Sequence, residues 1–358
     1  MRGHSYAARR HRPAVRFAAL AVAGLVAAVP ARAQVSALSE IATYSGTDRA
    51  QRLIAGARRE GTLTLYSSAR ADDLAALAAP FEEKYGVKVR VWRGGSEAIR
   101  SRVVTESRGG RFDVDVVETA GPDMTALTRE TLLQPVVSPV LADLDKAALV
   151  PNHAWTTLRF SVLVAAYNTR LVAAADVPKR YEDLLDAKWR GRLGIEADDP
   201  HWFASVVGAL GEPAGLDLFR NIVAKNGISI RKGHSLLANL VVSGEVPLAL
   251  TVYGYHADQL KRAGAPIDKI YLPPTIVMPT GIGVARKAPH PFAAVLFMDY
   301  ALSDGQAVLA ARDHVVTNRK FGGLTPDLHA TFVDLPKFLD EREKWTRLFK
   351  EVFVNQAH

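Results

Sequence analysis

Between Thr62 and Val117 short runs of strand-forming residues alternate with amphipathic helical segments, and that alternation constrains the fold more than any other feature of the chain. Thr62 to Tyr66 alternates as a strand does. Leu74, Leu77, Ala78 and Phe81 follow at helical spacing, with Asp72 expected as the N-cap and Gly86 just past the end. Val87, Val89 and Val91 predict a second strand, Ser96 opens a helix carrying Ile99 and Val103, and Val114 to Val117 predict a third strand. An earlier helix is expected from Asp48, as its cap, to Glu60. Strands separated by helices imply a parallel sheet with right-handed crossovers.

The pattern returns with Leu193 to Ile195, Ile228 to Ile230, Val246 to Val252 and Ile267 to Leu272, which predicts a second α/β lobe. Phe160 to Tyr167, an extended apolar run, and Pro273-Pro274 through Pro279, Gly281 and Gly283 are expected to cross between the lobes, the second as a proline-stiffened strap. Two crossings make a hinge. From Pro289 two helices are expected, broken at Ser303 to Gly305. The last helical stretch presents Phe338, Leu339, Trp345, Leu348, Phe349 and Val352 as its apolar face.

The formal charge of +8 points to nucleic acid only until the positive residues are located. Six arginines, Arg2, Arg9, Arg10, Arg12, Arg16 and Arg32, fall in the first 33 residues, which contain no acidic residue; the rest carries 39 basic against 37 acidic side chains. No polynucleotide partner is expected. That basic start, the apolar run Phe17 to Val29 and the small residues Ala31 and Ala33 read as an export signal over 1–33. Thirteen apolar residues fall short of the roughly 20 that a spanning helix needs. The Arg9-Arg10 pair leaves the general and twin-arginine export routes both open. With no cysteine anywhere, disulfides, thiolate metal sites and a cysteine nucleophile are excluded.

Ligands of open parallel sheets bind outside the carboxyl ends of the strands, where helix N-termini present free N–H groups. In the first lobe those tips are Ser67 and Ser68, then Arg93, Gly94, Gly95 and Ser96, then Glu118 and Thr119. In the second they are Glu196 to Asp199 with His201 and Trp202, then Tyr253, Gly254, Tyr255 and His256. The candidate ligand-binding residues are Ser67, Ser68, Arg93, Gly95, Ser96, Glu118, Thr119, Asp199, His201, Trp202, Tyr253, Tyr255 and His256. Each has a plainer reading: the serines as helix caps, the glycines as turn chemistry, Asp198 or Asp199 as cap of a helix begun at Pro200, a tyrosine as hinge packing. His153, His234, His290, His314 and His329 show no metal-ligand spacing and are read as structural or surface residues. Signatures of a nucleophile elbow, a zinc protease helix, a phosphate loop and a dinucleotide fingerprint are all missing, so binding ranks above catalysis.

Taken in order, Thr62 to Ser68, Phe81 to Gly86 leading into Val87 to Arg93, Asp113 to Val117, Val164 to Thr169, Tyr181 to Asp186 with Lys188 and Trp189, Gly244 to Pro247, and Ala288 through Gly305 resemble extracellular solute-binding proteins of ABC importers. The resemblance is to the ferric-iron-type branch of the two-lobed type II periplasmic-binding fold and spans nearly the whole mature chain. It implies a periplasmic, monomeric, non-enzymatic receptor that closes two lobes on a solute and delivers it to a membrane permease. Ferric iron, a chelated metal or a small organic anion is the implied cargo, and no cofactor is expected. The branch's tyrosine pair is matched here by Tyr255 and His256, the expected metal contacts. Where its histidine and glutamate would fall stand Arg70 and Ala120. Arg70, Arg93 and the helix N-termini suit an anion.

The expected organisation is a signal over 1–33, an N-terminal lobe of 34–162 with 275–316, and a C-terminal lobe of 163–274 with 317–358. An exported hydrolase or transferase on a similar scaffold, and a sensor that presents its solute to a membrane kinase, are the alternatives.

Overall fold

The computed structural model describes residues 1, 3, 38–325, 328 and 330–355. The export signal, but for residues 1 and 3, and His329 lie outside the described residues. A helix at Arg49–Glu60 leads into β1 (Thr62–Ser67), a helix at Ala71–Tyr85, β2 (Lys88–Arg93), a helix at Ser96–Arg108 and β3 (Val116–Ala120). β1 pairs in parallel with both β2 and β3, as the alternation requires. The short β4 (Leu133–Gln134) precedes β5 (Thr156–Asn168), a strand of 13 residues. Then come β6 (Leu193–Glu196), β7 (Ser229–Arg231) and β8 (Leu248–Tyr253), with helices at Pro200–Leu210, Glu212–Asn226 and His234–Ser243 between them. β6 pairs in parallel with β7 and β8.

A helix at Gly254–Arg262 and the short β9 (Ile267–Ile270) lead to β10 (Thr275–Ala285), of 11 residues, all buried. The main path of the sheet runs β2-β1-β3-β10-β5-β8-β6-β7. Two parallel halves are thus joined by the antiparallel pair β5 and β10, the two crossings read from the sequence. The second crossing is a strand rather than a strap: Pro279 sits inside β10 opposite Phe160. β9 departs from the parallel expectation, since it runs antiparallel beside Ala165 to Asn168 of β5. The remaining short strands, β11 (Val315–Val316) and β12 (Ala330–Phe332), pair with β5 and β10.

Two hydrophobic clusters pack the interior. The first gathers Leu63, Leu65, Phe81, Val116 and Phe297 and reaches into the second half through Leu237, Val241 and Val252; the second gathers Trp189, Trp202, Phe203, Phe219, Phe349 and Phe353. A fully buried aliphatic or Phe side chain contributes about 1.5–3 kcal/mol, so both clusters stabilise the fold substantially. Helices at Pro291–Leu302 and Asp304–Ala310 break at Ser303 as expected, and Phe297 packs edge-on against Phe81. In the C-terminal stretch Phe338, Trp345, Phe349 and Val352 are buried in the second cluster, while Leu348 is partly buried against it.

Helix starts differ from expectation in a consistent way. Asp48 makes no capping bond; its carboxylate binds Arg52 at 2.7 Å and the Tyr44 hydroxyl. Asp72 lies within the first turn of its helix, whose N-cap is Arg70; the next helix opens at Ser96 as expected, but its N-cap Gly95 has no side chain to cap it. Asp199 is the N-cap before Pro200 but makes no capping bond either. Several helix N-termini facing the middle of the molecule therefore keep free N–H groups.

Candidate binding cleft

The carboxyl ends of both parallel halves open onto one cleft of about 380 Å³. Ser68, Arg70, Arg93, Gly94, Gly95 and Ser96 line its first wall. Glu196, Asp198, Asp199, His201, His234, Tyr253 and Tyr255 line the second, and Arg159, Ser161, Met278 and Thr280 of the crossing strands form the floor. No described helix is long and apolar enough to cross a membrane.

On the first wall Arg93 Nε donates to the Ala69 carbonyl at 2.7 Å, and Arg70 pairs with Asp72 at 2.9 Å. Both guanidiniums keep other N–H groups free for an anion beside the uncapped starts of the helices at Ala71 and Ser96. Beneath them runs a buried chain. Ser67 Oγ donates to Glu118 Oε2, and Glu118 Oε1 lies 2.7 Å from Arg159 Nη2. The two charged side chains are only 3% and 6% exposed, so this is a desolvated ion pair under the floor.

The second wall has the opposite sign. Asp199 is wholly buried, and its Oδ1 lies 3.4 Å from His234 Nε2 and 3.7 Å from His201 Nε2. Glu196 accepts the Gly233 N–H at 2.7 Å and a second N–H from Asp198. Burial, then the charge of Asp199, pushes the Glu196 carboxyl above the ordinary carboxylate range. The same two causes raise Asp198. Burial alone would lower His234, yet Asp199 and Glu196 push it up to about 9. His201, with burial dominant, is lowered.

Toward the hinge four rings lie in series, the middle pair stacked and the two outer pairs tilted. His234 lies 4.1 Å from Tyr253, Tyr253 is 5.7 Å from Tyr255, and Tyr255 is 4.1 Å from His314, centroid to centroid. Burial pushes the Tyr255 phenol up to about 12, so it is a neutral hydrogen-bonding group at neutral pH.

Of the candidate residues, the cleft brings together Ser68, Arg93, Gly95, Ser96, Asp199, His201, Tyr253 and Tyr255. Five stand elsewhere. Ser67, Glu118 and Thr119 are buried within strands, because β1 runs on to Ser67 instead of ending at Tyr66 and β3 runs on to Ala120 instead of ending at Val117. Trp202 is 1% exposed and packs edge-on to Tyr181 and Phe219 in the second cluster. His256 does not line the cleft; it is buried behind it in the helix begun at Gly254, with its ring stacked on that of Tyr255 at 6.3 Å between centroids. Sequence reasoning missed Arg159, Glu196 as a site residue, and His234, which it had set aside. His314 is likewise interior, 3.2 Å from Asp73.

A family model described as bacterial extracellular solute-binding protein matches residues 63–312. The chain belongs to that family. Among the relatives of this solute-binding protein, Iron uptake protein A1 of Synechocystis sp. (strain ATCC 27184 / PCC 6803 / Kazusa) is 27% identical over 273 residues, 70% of this chain and 74% of that one. The Fe(3+)-binding periplasmic protein of Serratia marcescens is 24% identical over 241 residues, 64% of this chain and 70% of the other. Iron-bound HitA from Pseudomonas aeruginosa superposes with a TM-score of 0.71 at 25% identity, covering 81% of this chain and 99% of its own. AfuA from Actinobacillus pleuropneumoniae, solved with fructose-6-phosphate, shares the fold at a TM-score of 0.72 and 20% identity, covering 82% and 99%. These relatives bind or take up solutes, and none favours the hydrolase or transferase alternative.

Proposed function

We propose that this solute-binding protein is the periplasmic receptor of an ABC importer whose cargo carries an anionic group, either free or as the chelator of a metal ion such as ferric iron. It closes its lobes on that cargo and hands it to the membrane permease. One observation carries the reading: a wall with Arg70, Arg93 and two free helix N-termini faces a wall with Glu196, Asp198 and Asp199 across a single cleft. A solute with an anion at one end and hydrogen-bond donors or a cation at the other meets both walls only when they close, which gives the differential affinity that drives closure.

The expected division of lobes, 34–162 with 275–316 against 163–274 with 317–358, is part of the proposal. The burial of Phe338, Trp345 and Phe349 in the second cluster supports it, while Thr317 and Asn318 still bond to Gln306. Calorimetry of ligand-stripped protein against phosphate, phosphonates and di- and tricarboxylates should find a binder. Arg93→Ala should weaken that binder about 10-fold or more, since a charge-assisted hydrogen bond contributes about 1.5–3 kcal/mol. A variant that binds every anion as the parent does would remove the first wall from the site.

A further inference from the structure

The second wall contains more than an acceptor for hydroxyls. Glu196, Asp199 and His234 each bring a donor atom to within 4.8 Å of the others. Asp199 has no exposed side-chain surface, yet neither of its oxygens makes a hydrogen bond in good geometry among the described residues. The cost of burying an ionised carboxylate is large unless a cation answers it.

His234 shows where that cation would sit. Its Nδ1 lies 3.1 Å from the Thr251 carbonyl, and a carbonyl only accepts, so Nδ1 carries the hydrogen. That leaves Nε2 facing Asp199 Oδ1 at 3.4 Å. A neutral ring would aim a lone pair at a carboxylate, two acceptors with nothing to share. A proton on Nε2 satisfies one of the oxygens; a metal ion would take the imidazole and both carboxylates together. A ring fixed by a bond from its other nitrogen to a backbone carbonyl is the support that metal-bound imidazoles ordinarily have.

We propose that Glu196, Asp199 and His234 form a coordination site for a divalent first-row metal ion in the second wall of the cleft. Two carboxylates and an imidazole suit zinc or manganese, and three protein donors leave a position open toward the cleft. This rests on the reading of the cleft as the cargo site: the anionic group held by Arg70 and Arg93 would fill that open position, so metal and chelator would travel as one cargo. Tyr255, on the same wall but with its ring tilted against that of His314 at 4.1 Å, is not a ligand in this arrangement.

The purified chain, dialysed against a chelator, is to be titrated with Zn²⁺ and with Mn²⁺ by calorimetry, with stoichiometry from native mass spectrometry. One ion per chain is expected at micromolar affinity or better. Asp199→Asn and His234→Gln should each weaken it by at least about 100-fold, while His153→Gln, at an exposed imidazole outside the cleft, leaves it unchanged. No binding up to millimolar metal, binding that survives both variants, or binding lost in His153→Gln would each overturn the assignment. The anion titration on the same metal-free protein reports separately: an anion bound through Arg93 without any metal keeps the importer reading and removes only the metal.

Discussion

Arg159→Met should lower the stability of the protein by about 3–5 kcal/mol, the loss expected when one member of a buried ion pair is removed and the other is left charged without a partner. The stranded group is Glu118, 3% exposed and 2.7 Å from the missing guanidinium. Ser67 would remain as its hydrogen-bond donor but supplies no charge. Chemical denaturation measures the effect. The double variant Arg159→Met with Glu118→Gln should recover most of the loss, because a neutral amide is much less costly to bury there. Equal stability of parent and single variant would mean that the floor of the cleft is wet and the pair screened.

Acid should destabilise the protein through His256, and the sign follows from burial. The buried imidazole, disfavoured as a cation by desolvation and by the charge of Arg70, is held down to about 4 against an ordinary 6.5. Between those values the unfolded chain takes up a proton that the folded chain refuses. Stability is therefore complete above pH 6.5 and falls as the pH drops toward 4, by about 3 kcal/mol over the window at about 1.4 kcal/mol per unit. His256→Gln should flatten the denaturation free energy across that window. An unchanged slope in the variant would show that another group controls the acid transition.

His256 also shows where sequence reading reaches its limit. As a neighbour of Tyr255 beyond a strand tip it was expected on the cleft surface, but the strand gives way to helix at Gly254 and His256 is buried behind the lining, its ring stacked on Tyr255. Trp202 fails differently. The Pro200–Leu210 helix buries Trp202, Phe203, Val206 and Val207, and that apolar density was a legible sign of core rather than cleft. Glu118 was read just past a strand end, whereas β3 continues through it, because a polar side chain can stay in a strand if it finds partners. Its partners come from β1 and β5, and no local pattern announces them.

By itself the sequence determined the alternation of strands and helices, the two long crossings, the break at Ser303 and the crowding of polar groups at the strand ends. Periodicity is a local property, set by which face of each element must leave water. Which strands become neighbours is not local. Only the order β8-β6-β7 brings His234 against Glu196 and Asp199, and only the crossing β5 carries Arg159 under the first wall. The opposed charges of the cleft arise from pairings dozens of residues apart in the chain, whose free energy depends on the packed whole rather than on any one segment.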